Sequence, residues 1–154
     1  MECVFRCGMV EHMDNEPVSE HLTLRVSARL VNELSAAARR RGLAPTALAR
    51  TYLEEGLRMD RYPGLVFRDR AGGRRVGFAG RRIDVWQVIE TLRASDGNLE
   101  ETADYLQLRP DQVRTAIAYA ADFPVEIDDM IRANREEAER AQAADARQRA
   151  VLGR

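Results

Sequence analysis

The sequence predicts a mainly α-helical fold in which one short strand feeds two helices, a small β-hairpin follows, and three further helices and a helical tail complete the chain. Three observations predict it. Leu22-Thr23-Leu24-Arg25-Val26-Ser27 alternates apolar and polar residues, the period of a half-buried strand. The segments on either side of Arg41-Gly42-Leu43-Ala44-Pro45-Thr46 carry apolar residues at helical spacing. From Asp84 onward three more helical patterns are separated by short turn signals.

In the strand, Leu22, Leu24 and Val26 point one way and His21, Thr23 and Arg25 the other, because side chains alternate along a strand. A lone strand leaves its backbone edges unpaired and forms no core, so it needs a partner, and the simplest is a second copy of the chain. Antiparallel pairing of two copies buries the leucines and valines and exposes two His-Thr-Arg rows. A two-stranded ribbon fits the DNA major groove, where Arg bonds guanine bidentately and Thr meets base edges or the thymine methyl.

The first helix reads from Ser27 as N-cap through Leu30, Leu34 and Ala37 or Ala38 to the basic last turn Arg39-Arg40-Arg41, with Gly42 as its stop. The second starts at Pro45 and carries Leu48, Tyr52 or Leu53, and Leu57. The free amides around Thr46 and Ala47 suit a DNA phosphate.

Strand, helix and Gly42-Leu43-Ala44-Pro45-Thr46-Ala47-Leu48, in that order, resemble the ribbon-helix-helix family of CopG, Arc and MetJ repressors over the second quarter of the chain. The resemblance implies an intertwined homodimer that inserts its ribbon into the major groove of double-stranded DNA. His21, Thr23 and Arg25 then read bases, while Thr46 and Ala47, helped by Arg39, Arg40 and Arg41, hold phosphate. Ala44 departs from the family, which usually has Ser, Thr or Asp as the cap. The competing reading is a generic helical segment behind a chance alternation, with Arg25 a solvated surface residue.

A chain of 154 residues with 45% hydrophobic and 32% charged residues accommodates one or two small domains. No run has the length and apolarity of a membrane span, and residues 1–20 lack the basic start and apolar centre of a secretory signal, so a cytoplasmic location is expected. Residues 1–20 read as a flexible arm, and Met9 and Met13 leave the true start open. Cys3, Cys7 and His12 offer too few ligands for a structural zinc site, and recruiting His21 would use up a base-reading candidate, so neither metal nor cofactor is expected.

The net charge of -1 hides a division. Residues 21–82 hold fourteen arginines against five acids, and residues 84–140 hold six arginines against fourteen acids. The basic half is the electrostatic candidate for DNA. Lysine is absent altogether, which reads as genomic base composition.

After Pro63-Gly64, the runs 65–68 and 75–78 can be strands joined at Gly72-Gly73, making an arginine-rich hairpin. Its turn lacks the Lys and Ser or Thr of a phosphate-binding P-loop, so nucleotide binding is not expected. Three helices follow. Residues 84–94 turn Val85, Val88, Ile89 and Leu92 inward, 98–106 turn Leu99, Ala103 and Leu106, and 110–121 turn Val113, Ile117 and Ala120. Gln107-Leu108-Arg109 gives the last two helix-turn-helix spacing. Trp86 is expected in a core or interface with its indole nitrogen partnered.

This block resembles the small bacterial domain of unknown function numbered 433, through Gly80-Arg81-Arg82-Ile83, Glu100-Glu101-Thr102 and Val113-Arg114-Thr115-Ala116-Ile117-Ala118-Tyr119-Ala120. Arg82 stands where Thr is usual. The resemblance implies a helix-turn-helix-like domain common in antitoxins encoded beside PIN-type ribonucleases. Arg109, Gln112, Arg114 and Thr115 would be exposed, but Asp111, Asp122 and the acidic surroundings repel phosphate, which favours dimerisation or partner contact over DNA reading.

The tail, residues 127–152, has strong helix propensity but few apolar anchors after Ile131, so alone it should fray. It is either a segment that folds on a toxin or a solvated helix. No enzyme is expected. His12 and His21 are the only histidines, and adjacent Glu100 and Glu101 face different directions on a helix.

These readings divide the chain into a flexible arm (1–20), a ribbon-helix-helix DNA-binding domain (21–60), a hairpin with a helix-turn-helix-like domain (61–126) and a helical tail (127–154). The expected function is a sequence-specific DNA-binding repressor, the antitoxin of a type II toxin-antitoxin pair that controls its own operon. The alternatives are a free-standing regulator without a toxin and a dimeric protein-interaction adaptor.

Overall fold

The computed structural model describes residues 23–70 and 72–153. Its element order is α1 (Ala28–Arg41), α2 (Pro45–Arg61), β1 (Leu65–Arg70), β2 (Gly73–Phe78), α3 (Val85–Ala94), α4 (Leu99–Leu106), α5 (Pro110–Asp122) and α6 (Pro124–Leu152). The fold is mainly helical with one small antiparallel hairpin, as expected.

Local chemistry sets the element ends. Ser27 is extended and its Oγ accepts a hydrogen bond from the Leu30 amide, so α1 begins at Ala28. Gly42 adopts the left-handed conformation at φ 65°, letting its own amide and that of Leu43 close back on the carbonyls of Arg39 and Ala38. Pro45 opens α2, and Asn98 caps α4 through its side-chain oxygen and the Glu101 amide. The side-chain carbonyls of Gln87 and Gln112 accept from the Asp84 and Arg109 amides at the starts of α3 and α5.

Residues 23–27, expected as a strand, lie outside any helix or sheet and are exposed. Among the described residues no strand pairs with them, the two strands of the hairpin pairing only with each other. The hairpin runs two residues further on each strand than the sequence suggests, with Leu65 opposite Phe78 and Arg70 opposite Gly73. Gly73 therefore begins β2 instead of completing the turn.

The core comes from residue 62 onward. Leu65, Val76 and Phe78 of the hairpin pack with Val85, Trp86, Val88 and Ile89 of α3, Ala103 of α4, and Val113, Ala116 and Tyr119 of α5. On α5, Val113 is buried and Ala120 packs against the core as expected, but Tyr119 is fully buried in place of Ile117, which is 36% exposed. Neighbours on three sides set that face, since α5 packs on α3, α4 and α6. Helix α6 begins ahead of the expected tail boundary, and Ile127 and Ile131 belong to the core. Arg93 to Asp128 (2.8 Å) and Arg135 to Glu90 (2.9 Å) fasten α6 along α3. Trp86 is buried as expected, yet its Nε1 has no hydrogen-bond partner among the described residues.

Candidate nucleic-acid interface

Of the base-reading candidates, Thr23 and Arg25 are both exposed just before α1. His21 lies outside the described residues, as do Cys3, Cys7 and His12. The phosphate candidates divide. Ala44 precedes α2 in an extended conformation without a side-chain cap and Pro45 has no amide hydrogen, so the first donors of α2 belong to exposed Thr46 and half-buried Ala47. That is the local arrangement that receives an anion at a helix start. Arg39 and Arg40 are exposed and make no ion pair among the described residues.

Arg41 behaves differently. Its guanidinium donates to Asp69 Oδ2 at 2.8 Å and lies 5.4 Å from the Tyr52 ring. Arg74 approaches the same ring at 5.7 Å and donates to Glu55 at 2.7 Å and Asp69 at 3.1 Å. The Arg74 hydrogen bond, with Arg41 adding its charge, holds the Asp69 carboxyl below its ordinary range. Hydrogen bonding to Glu55 raises Arg74 against the opposing effect of burial. Arg41 is thus a pin between α1 and the hairpin, because two fixed carboxylates and an aromatic face compete with any phosphate for this pair.

A second joint ties α2 to the helical half. Arg58 donates to Glu126 Oε2 at 2.7 Å and to the Tyr119 hydroxyl at 3.0 Å, with its guanidinium 4.0 Å from the Phe123 ring. The Tyr119 hydroxyl in turn donates to Glu126 Oε1 at 2.9 Å. Tyr62 meets Tyr119 edge to face at 5.2 Å and donates to Asp122, which also pairs with Arg61 at 2.6 Å. Burial would lower Arg58, but the hydrogen bonds and charges of Glu126 and Tyr119 leave it raised. The charge division in the sequence is therefore partly cancelled in space, since arginines of the basic half meet carboxylates of the acidic half at this joint.

The hairpin repeats that pattern. Arg68 and Arg70 each approach Asp84 Oδ1 at 3.4 Å, and Asp84 is buried. They also donate to the backbone that precedes α3: Arg68 to the carbonyls of Arg81 and Ile83, Arg70 to that of Arg82. Gly77 permits this closeness, since a Cβ there would stand 2.6 Å from the Ile83 carbonyl oxygen and 2.8 Å from Asp84 Oδ1.

Helices α4 and α5 follow each other across the short turn at residues 107–109, with Gln107 in the left-handed conformation. The polar side chains of α5 are nonetheless occupied. Arg109 is bidentate to Asp111, Gln112 caps the helix start, and Thr115 donates to the Asp111 carbonyl, so of the two exposed cations singled out only Arg114 makes no ion pair among the described residues. The Arg109 hydrogen bonds hold Asp111 below its ordinary range.

Residues 68–120 match a family model described as a protein of unknown function (DUF433). The match begins inside β1 and ends inside α5, so it takes in the Arg68-Gly77-Asp84 cluster, α3, α4 and most of α5 but neither α1 nor α2. No curated protein and no solved structure matches the chain. No helix among the described residues is long and apolar enough to cross a membrane.

Sequence reasoning missed the Arg58-Tyr119-Glu126 joint and the Asp84 clamp. The clamp had a signal, an acid at a helix start directly behind an arginine-rich hairpin. The joint had none, because its partners stand 61 and 68 residues apart.

Proposed function

We propose that the chain is a sequence-specific DNA-binding transcriptional repressor that works as a ribbon-helix-helix homodimer, and that it is the antitoxin of a type II toxin-antitoxin pair. One observation carries the reading. The strand-helix-helix part buries only Ala38 and Leu48 among its apolar side chains, while Leu24 (56%), Val26 (48%), Leu30 (49%), Leu53 (48%) and Leu57 (71%) remain exposed. So many exposed aliphatic residues over one short segment mark an interface. A second copy of the same segment fits them, because the alternating stretch from Leu22 to Ser27 needs a strand partner as well as a core.

In such a dimer the paired strands present Thr23 and Arg25, with His21, to base edges in the major groove. The amides of Thr46 and Ala47 with Arg39 and Arg40 hold the flanking phosphates, while Arg41 stays with Asp69. The antitoxin part rests on the resemblance of the second half to a domain common in antitoxins. Helix α6 adds support, since it runs well beyond its last buried residue, Ile131, and presents a long surface to a protein partner such as a PIN-type ribonuclease.

The test is binding to duplex DNA from the region upstream of its own gene across a salt series, beside Arg25→Ala. The expected result is a preference for that DNA over an unrelated duplex, lost in the variant by about 1–3 kcal/mol of discrimination. Equal preference in both proteins would sink the ribbon as reader. Co-purification with the ribonuclease encoded beside it tests the antitoxin half.

A further inference from the structure

We propose that the outer face of the hairpin, centred on Arg75 and Arg82, is a second seat for nucleic-acid phosphates, separate from the strand and from the start of α2. This goes beyond the function proposed above and stands on different residues.

The first observation is a local excess of positive charge on a rigid frame. Arg68 and Arg75 face each other across the hairpin, and Arg70 lies on the same face two residues along. The Arg70 guanidinium bonds the Arg82 carbonyl, which holds Arg81 and Arg82 over that face. Of these five arginines only Arg68 and Arg70 pair with a carboxylate, the buried Asp84. Arg81 is bonded to the Gln107 carbonyl at 2.8 Å. Arg75 and Arg82 make no ion pair among the described residues. The start of α3, directly after Asp84, adds the positive end of a helix dipole. Like charges held this close repel, and an anion from outside relieves that repulsion.

The second observation concerns the kind of anion. Among the described residues, no large hydrophobic side chain between Met59 and Tyr105 is exposed, so the face lacks the apolar centre that a protein interface uses. A phosphate backbone needs no such centre and is met by guanidinium groups on a fixed scaffold. Gly72 and Gly73, at φ 88° and 118°, carry no side chain and let a backbone approach them closely. Arg75 rests 5.7 Å from the Trp86 ring, which orients its guanidinium. The Arg41 to Asp69 pair fixes the tip to the end of α1, so both phosphate seats belong to one body and can engage one duplex.

The experiment uses the full chain and an unrelated duplex, with affinity followed against salt by fluorescence anisotropy for wild type, Arg82→Ala and the Arg75→Ala/Arg82→Ala double variant. Each lost phosphate contact flattens the slope of log affinity against log salt by about 0.9, so the expected change is about one unit for Arg82→Ala and about two for the double variant. The matching lysine variants should keep most of the slope. Arg82 is exposed and its side chain makes no hydrogen bond among the described residues, so this variant should fold even if the double variant does not. Unchanged slopes in folded variants overturn the proposal. If inorganic phosphate at constant ionic strength protects the wild type against heat while the DNA slope is the same with or without Arg82, the seat takes free phosphate and the nucleic-acid assignment falls. Loss of sequence preference in Arg25→Ala with an intact hairpin slope, or the reverse, separates the failure of one reading from that of the other.

Discussion

The segment from Thr23 to Arg61 and the segment from Tyr62 to Ile131 are both rich in apolar residues, yet they treat them in opposite ways. The second folds hairpin and helices around a closed core in which Phe78, Val85, Val113, Tyr119 and Ile127 are nearly or fully inaccessible. The first leaves most of its leucines and valines in solvent and is held mainly by polar pins, Arg41 and Arg74 at one end and Arg58 at the other. A helical pair that buries so little apolar area gains little from burial. The difference teaches that the two halves rest on different terms, the second on its own packing and the first on contacts it makes with the second half and on whatever covers its open face.

Breaking the second half should have the largest effect. Phe78→Ala removes a fully buried ring from the centre of the core and is expected to cost about 3–5 kcal/mol in urea unfolding. Next comes Gly77→Ala, whose new methyl would crowd the Ile83 carbonyl and Asp84; a loss of about 1–3 kcal/mol is expected, with the hairpin amides exchanging faster than those of α5. Arg58→Met cuts the joint between the halves and leaves the Glu126 carboxylate without its cation, held only by the Tyr119 hydroxyl. With both charged side chains still about a quarter exposed, a loss of about 1–2 kcal/mol is expected, together with faster amide exchange in α2 than in α5.

Alkaline pH probes the same joint. Burial, helped by the hydrogen bonds and charges of Asp122 and Glu126, raises the Tyr62 and Tyr119 phenols above their ordinary value. The folded state then holds these protons more tightly than the unfolded one. The stability they contribute is fully present below about pH 10, where an unperturbed tyrosine ionises, and is lost as pH rises beyond it. Tyrosinate absorbance, compared with Tyr62→Phe and Tyr119→Phe, should report these two only as the protein unfolds; ionisation of either in the folded state would contradict the burial argument. The smallest effect on folding is expected for Leu57→Ser in the first half, within about 0.5 kcal/mol by dilute-solution unfolding. Sedimentation at higher concentration should show that variant self-associating less than the wild type. A large loss of folding stability instead would show that Leu57 serves its own chain.

Local signals were legible wherever a single residue decides the outcome. Ser27, Gly42, Pro45, Asn98 and Pro110 mark helix boundaries because caps and stops act through the nearest turn of backbone. The similarity of residues 68–120 to the DUF433 family was legible in short motifs around Gly80, Glu100 and Val113. The inward face of α5 was legible at Val113 and Ala120 but not at Ile117 and Tyr119, because all four satisfy a helical period and only neighbouring helices choose among them.

The sequence by itself determined the succession of elements from α1 onward, the exposed position of Thr23 and Arg25, and the segregation of basic from acidic residues. The tertiary structure alone decided which arginines remain free to meet an anion. Arg41, Arg58, Arg68, Arg70 and Arg74 look no different in sequence from Arg39, Arg40, Arg75 and Arg82, but the first group is bound to carboxylates that folding brings across distances of up to 68 residues. Charge counted along a chain gives only a total. The field that a partner meets depends on which charges folding has already paired, and pairing between distant residues is a property of the packed chain.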